Sequence, residues 1–179
     1  MSASVIAVAS DSGHNFSKIT KPAITLVAGF GVKGDAHSGK TVQHLSDKRK
    51  NPNAPNLRQV HLIHAELFDE LAARGITVAP GQMGENIVTR GVDLLGASAG
   101  TRLHIGEAVI EITGLRSPCY KLNTIHPDLL KAVVEKRADG TVAKKSGVMA
   151  IVITGGDIRP GDVIKTETPQ GPHRPLVCV

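Results

Sequence analysis

Cys119, in the run Ser117-Pro118-Cys119-Tyr120, has the most chemistry to offer in this chain. The thiolate, not the thiol, is the nucleophile and the metal ligand. Pro118 has no backbone N–H to donate, so the chain leaves any sheet just ahead of the sulfur. Arg116 and Lys121 stand within three residues of it, and positive neighbours favour the thiolate. A buried structural cysteine is the alternative that the local sequence leaves open.

Other polar groups recur at suggestive spacings. In Gly34-Asp35-Ala36-His37 the acid and the imidazole lie two apart, on one side of an extended chain. They could share a metal, form an acid–base pair or cap a turn. Arg58, with His37, could hold an anionic group, because a guanidinium fork matches phosphate. Gly84-Glu85-Asn86 puts a carboxylate and an amide at a strand start, where both present directed hydrogen-bonding groups. A simple turn is the alternative there. His61, His64 and Glu66 could ligate zinc, but no second Cys/His pair stands at zinc-site spacing.

Short β-rich segments must position these residues. Strands are expected at 4–10, 21–28, 58–63, 87–88, 102–105, 108–113, 148–154 and 163–166, with Gly106-Glu107 turning a hairpin. Residues 64–74 repeat apolar side chains at helical spacing and end at Gly75. A second helix is expected over 127–137. The polar stretch from His37 to Asn56 reads as a long loop, and such loops are often functional. The tail from Pro169 reads as extended and loosely held. Many short strands, Gly-rich turns and about two helices predict a mainly β fold, a barrel or strongly bent sheet. Residues 1–179 read as one domain, with the motifs in about 20–166 and an extended tail over 167–179.

Composition narrows the function classes. Aromatics are 2% of the chain, with no Trp and one Tyr, so the core rests on Val, Ile, Leu and Ala. That scarcity removes stacking platforms for single-stranded nucleic acid. The net charge of +5 and pI near 9.4 suit an anionic partner. No helix-turn-helix or zinc-finger signature accompanies the charge, and Lys48-Arg49-Lys50 reads as a solvated loop, so no nucleic-acid partner is expected. Two cysteines make no disulfide framework and exclude a Cys-ligated iron–sulfur cluster. The start shows no signal peptide and no stretch is long enough to span a membrane, so a cytoplasmic location is expected.

The order of the motifs is more specific than any one of them. Gly34-Asp35-x-His37, Arg58-Gln59-Val60, Glu66, Gly84-Glu85-Asn86 with Thr89 and Gly91, Pro118-Cys119 and Gly161-Asp162 together resemble the MOSC domain family. The chain is similar to its small stand-alone bacterial members, linked to resistance to N-hydroxylated bases. It is expected to lack the N-terminal β-barrel domain of the mitochondrial amidoxime-reducing relatives and the C-terminal helical extension of longer bacterial members. The resemblance implies a bent, barrel-like β fold and a molybdenum cofactor (molybdopterin) whose metal is ligated by Cys119. Thiolates prefer soft metals, which fits that role. By the same resemblance, His37 and Arg58 are candidates for the anionic part of the pterin, with Arg116 beside them. Glu85 and Asn86 are candidates for its ring or for orienting Cys119. The implied activity is reduction of a small N-hydroxylated molecule. A separate electron-donating reductase is then required, because the chain carries no flavin or iron–sulfur motif. The alternative is a carrier, holding a persulfide sulfur on Cys119 or passing the cofactor on. No pyridoxal-phosphate domain is present to abstract sulfur. A homodimer, in which a second subunit completes the pterin pocket, stays open.

Overall fold

The computed structural model describes residues 2–179, with the backbone alone at 46 and 47; Met1 lies outside the described residues. The chain opens with strands β1 (Ser4–Ser10), β2 (Ile19–Lys21), β3 (Ile24–Val27) and β4 (Gly31–Val32), then helix α1 (Leu45–Lys50). A β–α–β unit follows: β5 (Val60–His64), α2 (Ala65–Ala73) and β6 (Ile87–Arg90). Next come the hairpin β7 (Arg102–Ile105) and β8 (Ala108–Leu115), a 3-10 turn (Tyr120–Thr124) and α3 (Leu129–Val133). The last strands are β9 (Val134–Lys136), β10 (Val142–Lys144), β11 (Val148–Thr154), β12 (Gly156–Ile158) and β13 (Ile164–Glu167).

Eight of these strands form one bent sheet in the order β13-β7-β8-β11-β5-β6-β1-β2. All pairings are antiparallel except β5–β6, whose crossover is α2. The sheet curls until its far parts meet. The Val5 N–H donates to the Asp162 carbonyl at 2.9 Å, Gly161 N–H to Val5 at 2.8 Å, and Ile164 N–H to Ala3 at 2.9 Å. Those bonds join β1 to the turn that leads into β13 and close most of a barrel. Closure hides strand edges, whose unpaired backbone groups would otherwise be exposed.

Alternation along β8 explains the interior. Ala108, Ile110 and Ile112 are buried inside, while Val109, Glu111 and Thr113 lie on the less buried face. Val5, Val8, Leu62, Leu103, Val148 and Val152 join them in the barrel core. A second apolar cluster lies outside the sheet. There Ile63 of β5 meets Leu67 and Leu71 of α2 and Leu129 and Val133 of α3. Thus β5 supplies both cores, and its fully buried sequence Val-His-Leu-Ile has no solvent face.

Three expectations need correction. The helix expected over 127–137 is only Leu129–Val133; the chain then turns into β9, which pairs with β10. Val133-Val134 is β-branched, and Asp139-Gly140 makes the reversal: the Asp139 carboxylate accepts from the Thr141 N–H and hydroxyl, and Gly140 has φ +83°. The segment 37–56 is not a bare loop. It contains α1 and is pinned by Val42 N–H to Ala54 O and by the Asn56 amide donating to the His37 and Gly39 carbonyls. The tail is not loose either. The Leu115 N–H donates to Val177 O at 2.7 Å, the Val179 N–H to Leu115 O at 3.3 Å, and the Arg174 N–H to the Ser98 hydroxyl.

Candidate functional site

One cavity of about 390 Å³ gathers the chemically capable side chains. Its walls come from the turn after β1, the 37–44 segment, β5, the turn before β6, the stretch after β8 and the end of the tail. Such a volume lies in the range of small-molecule and cofactor sites.

Cys119 is placed by the end of β8. The Arg116 N–H donates to Gly147 O at 3.0 Å, and then Pro118 takes the chain out of the sheet. Cys119 follows in an extended conformation at the start of the 3-10 turn, where its carbonyl accepts from the Leu122 N–H at 3.1 Å. Its side chain is half-buried in the cavity wall. The Arg116 guanidinium lies in the same cavity wall as this thiol, close enough for the two to interact electrostatically. It also donates to Ser117 O at 2.8 Å and lies 5.7 Å from the centroid of the Phe16 ring. Burial pulls the Arg116 guanidinium below its ordinary pKa, the nearby Cys119 opposes that, and repulsion from Arg58 adds to it. Arg58 and Arg116 therefore crowd positive charge into one wall.

Beneath that wall lies a buried polar network. Lys18 Nζ and Asp35 Oδ2 pair at 2.7 Å, with side-chain exposures of 4% and 1%. The same Asp35 oxygen accepts from the Asn86 amide at 3.0 Å. The other carboxylate oxygen accepts from the His37 N–H at 2.9 Å and lies 3.4 Å from His37 Nδ1. Burial alone would raise the Asp35 carboxyl, but the His37 bonds and the Lys18 ammonium outweigh it and hold it well below the carboxylate range. Lys18 moves the other way: burial lowers its ammonium despite the attraction of Asp35. His37 in turn stacks toward His44 and His14, with ring centroids 4.8 and 5.6 Å away.

His37, Arg58, Asn86, Arg116 and Cys119 are thus brought to one cavity, although they lie far apart in sequence. Asn86 spends its amide hydrogens on Ala9 O and Asp35, and its oxygen accepts the His61 N–H. Glu85 is fully buried and is not among the lining residues. One of its oxygens accepts the Gly81 N–H, the other has no hydrogen-bond partner, and burial raises its pKa. Just before them in the chain, Gly84 lines the cavity. Its φ is +84°, and a Cβ there would sit 2.7 Å from Phe16 O. The glycine explains the tight approach; the Glu85 carboxylate ties this turn to the Gly81 N–H, and the Asn86 side chain ties it to Ala9, Asp35 and His61.

His61 lines the cavity as a buried neutral group. Its Nε2 is 2.8 Å from Ser146 O, and burial, with the charge of Arg116, lowers its pKa to about 3. His64 and Glu66 face a separate cavity beside Gly91, and Glu66 accepts the Gly91 N–H at 2.8 Å. No three described His, Cys, Asp or Glu side chains converge to hold a metal ion. Lys18, His14, His44 and Val179 also line the site, and sequence reasoning did not single them out. The one usable signal was Asp35, whose burial demands a cationic partner.

A barrel-like β domain with one thiol in a cationic cleft is a definable class of protein. The MOSC domain sequence pattern matches residues 37–165, well over half of the chain, and the chain belongs to that family. It is similar to the protein YiiM of Escherichia coli strain K12, 35% identical over 107 residues. That match covers 60% of this chain and 45% of YiiM, so the chain aligns with less than half of that relative's length. Among solved structures, the YuaD protein from Bacillus subtilis matches with a TM-score of 0.75 at 22% identity, over 95% of this chain and 98% of that one. YiiM from Geobacillus stearothermophilus matches with a TM-score of 0.66 at 19% identity, over 92% and 75% of the two chains. These structural matches speak for the fold. No helix among the described residues is long and apolar enough to cross a membrane.

Proposed function

We propose that this protein binds a molybdenum cofactor through the Cys119 thiolate and reduces small N-hydroxylated compounds with electrons from a separate reductase. The observation that carries the reading is the half-buried Cys119 in a cavity wall beside Arg116. The donor set fits the group. A bare metal ion needs several protein ligands, and the described residues offer no such cluster. A metal that brings its own sulfur donors needs little more than one soft thiolate.

When bound, the cofactor supplies two-electron redox chemistry. The chain's own residues do the rest. Arg116 presents a positive charge beside Cys119, held in the wall by its bond to Ser117 O. Arg58 and His37 would hold the anionic phosphate of the pterin, whose charge would relieve the crowding of Arg58 and Arg116. Glu85 and Asn86 act indirectly, Glu85 by holding the Gly81 N–H and Asn86 by bracing Asp35 and the His61 backbone. Neutral His61 adds no charge next to the Arg pair.

Purification from a host that makes the cofactor tests this directly. Molybdenum by mass spectrometry is expected near one per chain in the wild type and near zero in Cys119→Ser. Equal metal in both, or none in either, overturns the ligand assignment. Loaded protein that fails to reduce N-phenylhydroxylamine with reduced methyl viologen as donor overturns the activity.

A further inference from the structure

We infer that Lys18 is the proton donor to the leaving oxygen in this site, resupplied through Asp35 and His37; the inference rests on the reductive reading above. Lys18 is the buried cation of the cavity that the functional assignment leaves without a task. Its side chain is 4% exposed yet lines the space where substrate must lie. A buried ammonium kept only to pair with Asp35 gives little net stability, because desolvating both ions offsets their attraction.

Reduction of an N-hydroxylated amine consumes two electrons and two protons. The N–O bond breaks, the oxygen leaves as water with its own hydrogen and one added proton, and the nitrogen keeps the second. The electrons come from the reductase already invoked. Hydroxide is a poor leaving group, so a proton must reach the oxygen as the bond breaks. Lys18 provides that proton and becomes a neutral amine. Burial has already lowered its ammonium pKa, which makes it a readier acid than an exposed lysine.

The return path runs through one hydrogen bond and one ion-pair contact. Asp35 Oδ2 is 2.7 Å from Lys18 Nζ, and Asp35 Oδ1 is 3.4 Å from His37 Nδ1. His37 is half-buried, and its ring packs between His44 and the exposed His14. Asp35 thus bridges a buried donor to imidazoles at the mouth. The Asn86 amide and the Asp11 N–H, at 3.0 and 3.4 Å, fix the bridging carboxylate. Asp35 and His37 are positioning residues on this account, and Lys18 is the catalytic one.

The test uses the molybdenum-loaded full chain, N-phenylhydroxylamine and reduced methyl viologen. Lys18→Met is expected to lower kcat about 100-fold, the usual scale for one general acid, with KM and molybdenum content within twofold of wild type. Lys18→Ala is expected to regain turnover with added methylammonium, which a purely structural lysine would not allow. Where loss of the Asp35 partner unfolds Lys18→Met, the double variant Lys18→Met/Asp35→Asn removes both charges and takes its place. In the unloaded protein, Asp35→Asn is expected to move the 15N resonances of the His37 ring and of Lys18 Nζ together. Unchanged kcat in an active, loaded Lys18 variant overturns the role of Lys18 alone. A loaded wild type without turnover overturns the reductive reading and this inference with it. A Lys18→Met protein that loses molybdenum in step with its activity assigns Lys18 to binding and overturns the donor role.

Discussion

His61 hands its Nε2 to the Ser146 carbonyl, 2.8 Å away, and the same Ser146 uses its hydroxyl to bind Arg116 O at 3.0 Å. The imidazole is therefore part of the scaffold that sets the direction of the segment leading to Cys119. Burial keeps it neutral down to about pH 3, against an ordinary value of 6.5. A depressed folded-state value means that its contribution to stability is complete above pH 6.5 and is lost as pH falls toward 3. Thermal unfolding between pH 8 and 3 is expected to show a falling Tm below 6.5. His61→Gln, which keeps a donor and cannot titrate, is expected to flatten that fall.

Glu85 behaves with the opposite sign. Its pKa is raised above the ordinary 4.5 by burial, so its contribution is present below that value and is lost as pH rises through the folded value. Glu85→Gln keeps an acceptor for the Gly81 N–H without a charge to bury. The Tm of the variant, relative to wild type, is expected to climb as pH rises above 4.5. A flat difference would contradict the burial argument.

Gly84 has a steric requirement. Gly84→Ala places a methyl group 2.7 Å from Phe16 O at a φ of +84°. The cost is expected at about 1–3 kcal/mol, read by urea unfolding. Because Gly84 and Phe16 both line the cavity, molybdenum retention is expected to fall as well.

The tail can be displaced without touching the cavity chemistry. A Cβ at Gly114 would collide with Val177 O and the Val179 side chain. Gly114→Ala is expected to loosen residues 177–179 and open the wall that Val179 forms. Peptide mapping after alkylation is expected to show Cys119 reacting several-fold faster. Cys178, which pairs with Lys144 Nζ at 3.3 Å, reports release of the tail in the same experiment.

Much of the site could be read before the fold was known, because its parts carry local signals. Pro118 announces the break before Cys119, and Val60-His61-Leu62-Ile63 announces a strand, although burial of both its faces emerges only in the fold. The closely spaced polar pairs at Asp35/His37 and Glu85/Asn86 marked the right turns. Which member of each pair faces the cavity was not legible. Asp35 and Glu85 turn under the wall while His37 and Asn86 line it, and the backbone at Gly34 and Gly84, both at positive φ, sets that choice. Lys18 looked like any surface lysine, since its burial depends on Asp35 meeting it in three dimensions. The tail read as loose because three prolines suppress strand propensity; its pairing with Leu115 is tertiary. The short helix α3 failed as an expectation because β-branched Val133 and Val134 match both periods, and the Asp139-Gly140 turn decided for a hairpin.

The closure of the curled sheet sets the order in which the site comes into being. Lys18 and His37 emerge early in synthesis, Cys119 much later, and the segment that locks β1 to β13 later still. Pairings between such distant stretches form slowly, because the chain must lose loop entropy before those contacts reward it. No nascent fragment carries the finished cleft. The cleft is complete only once its late elements have packed against its early ones.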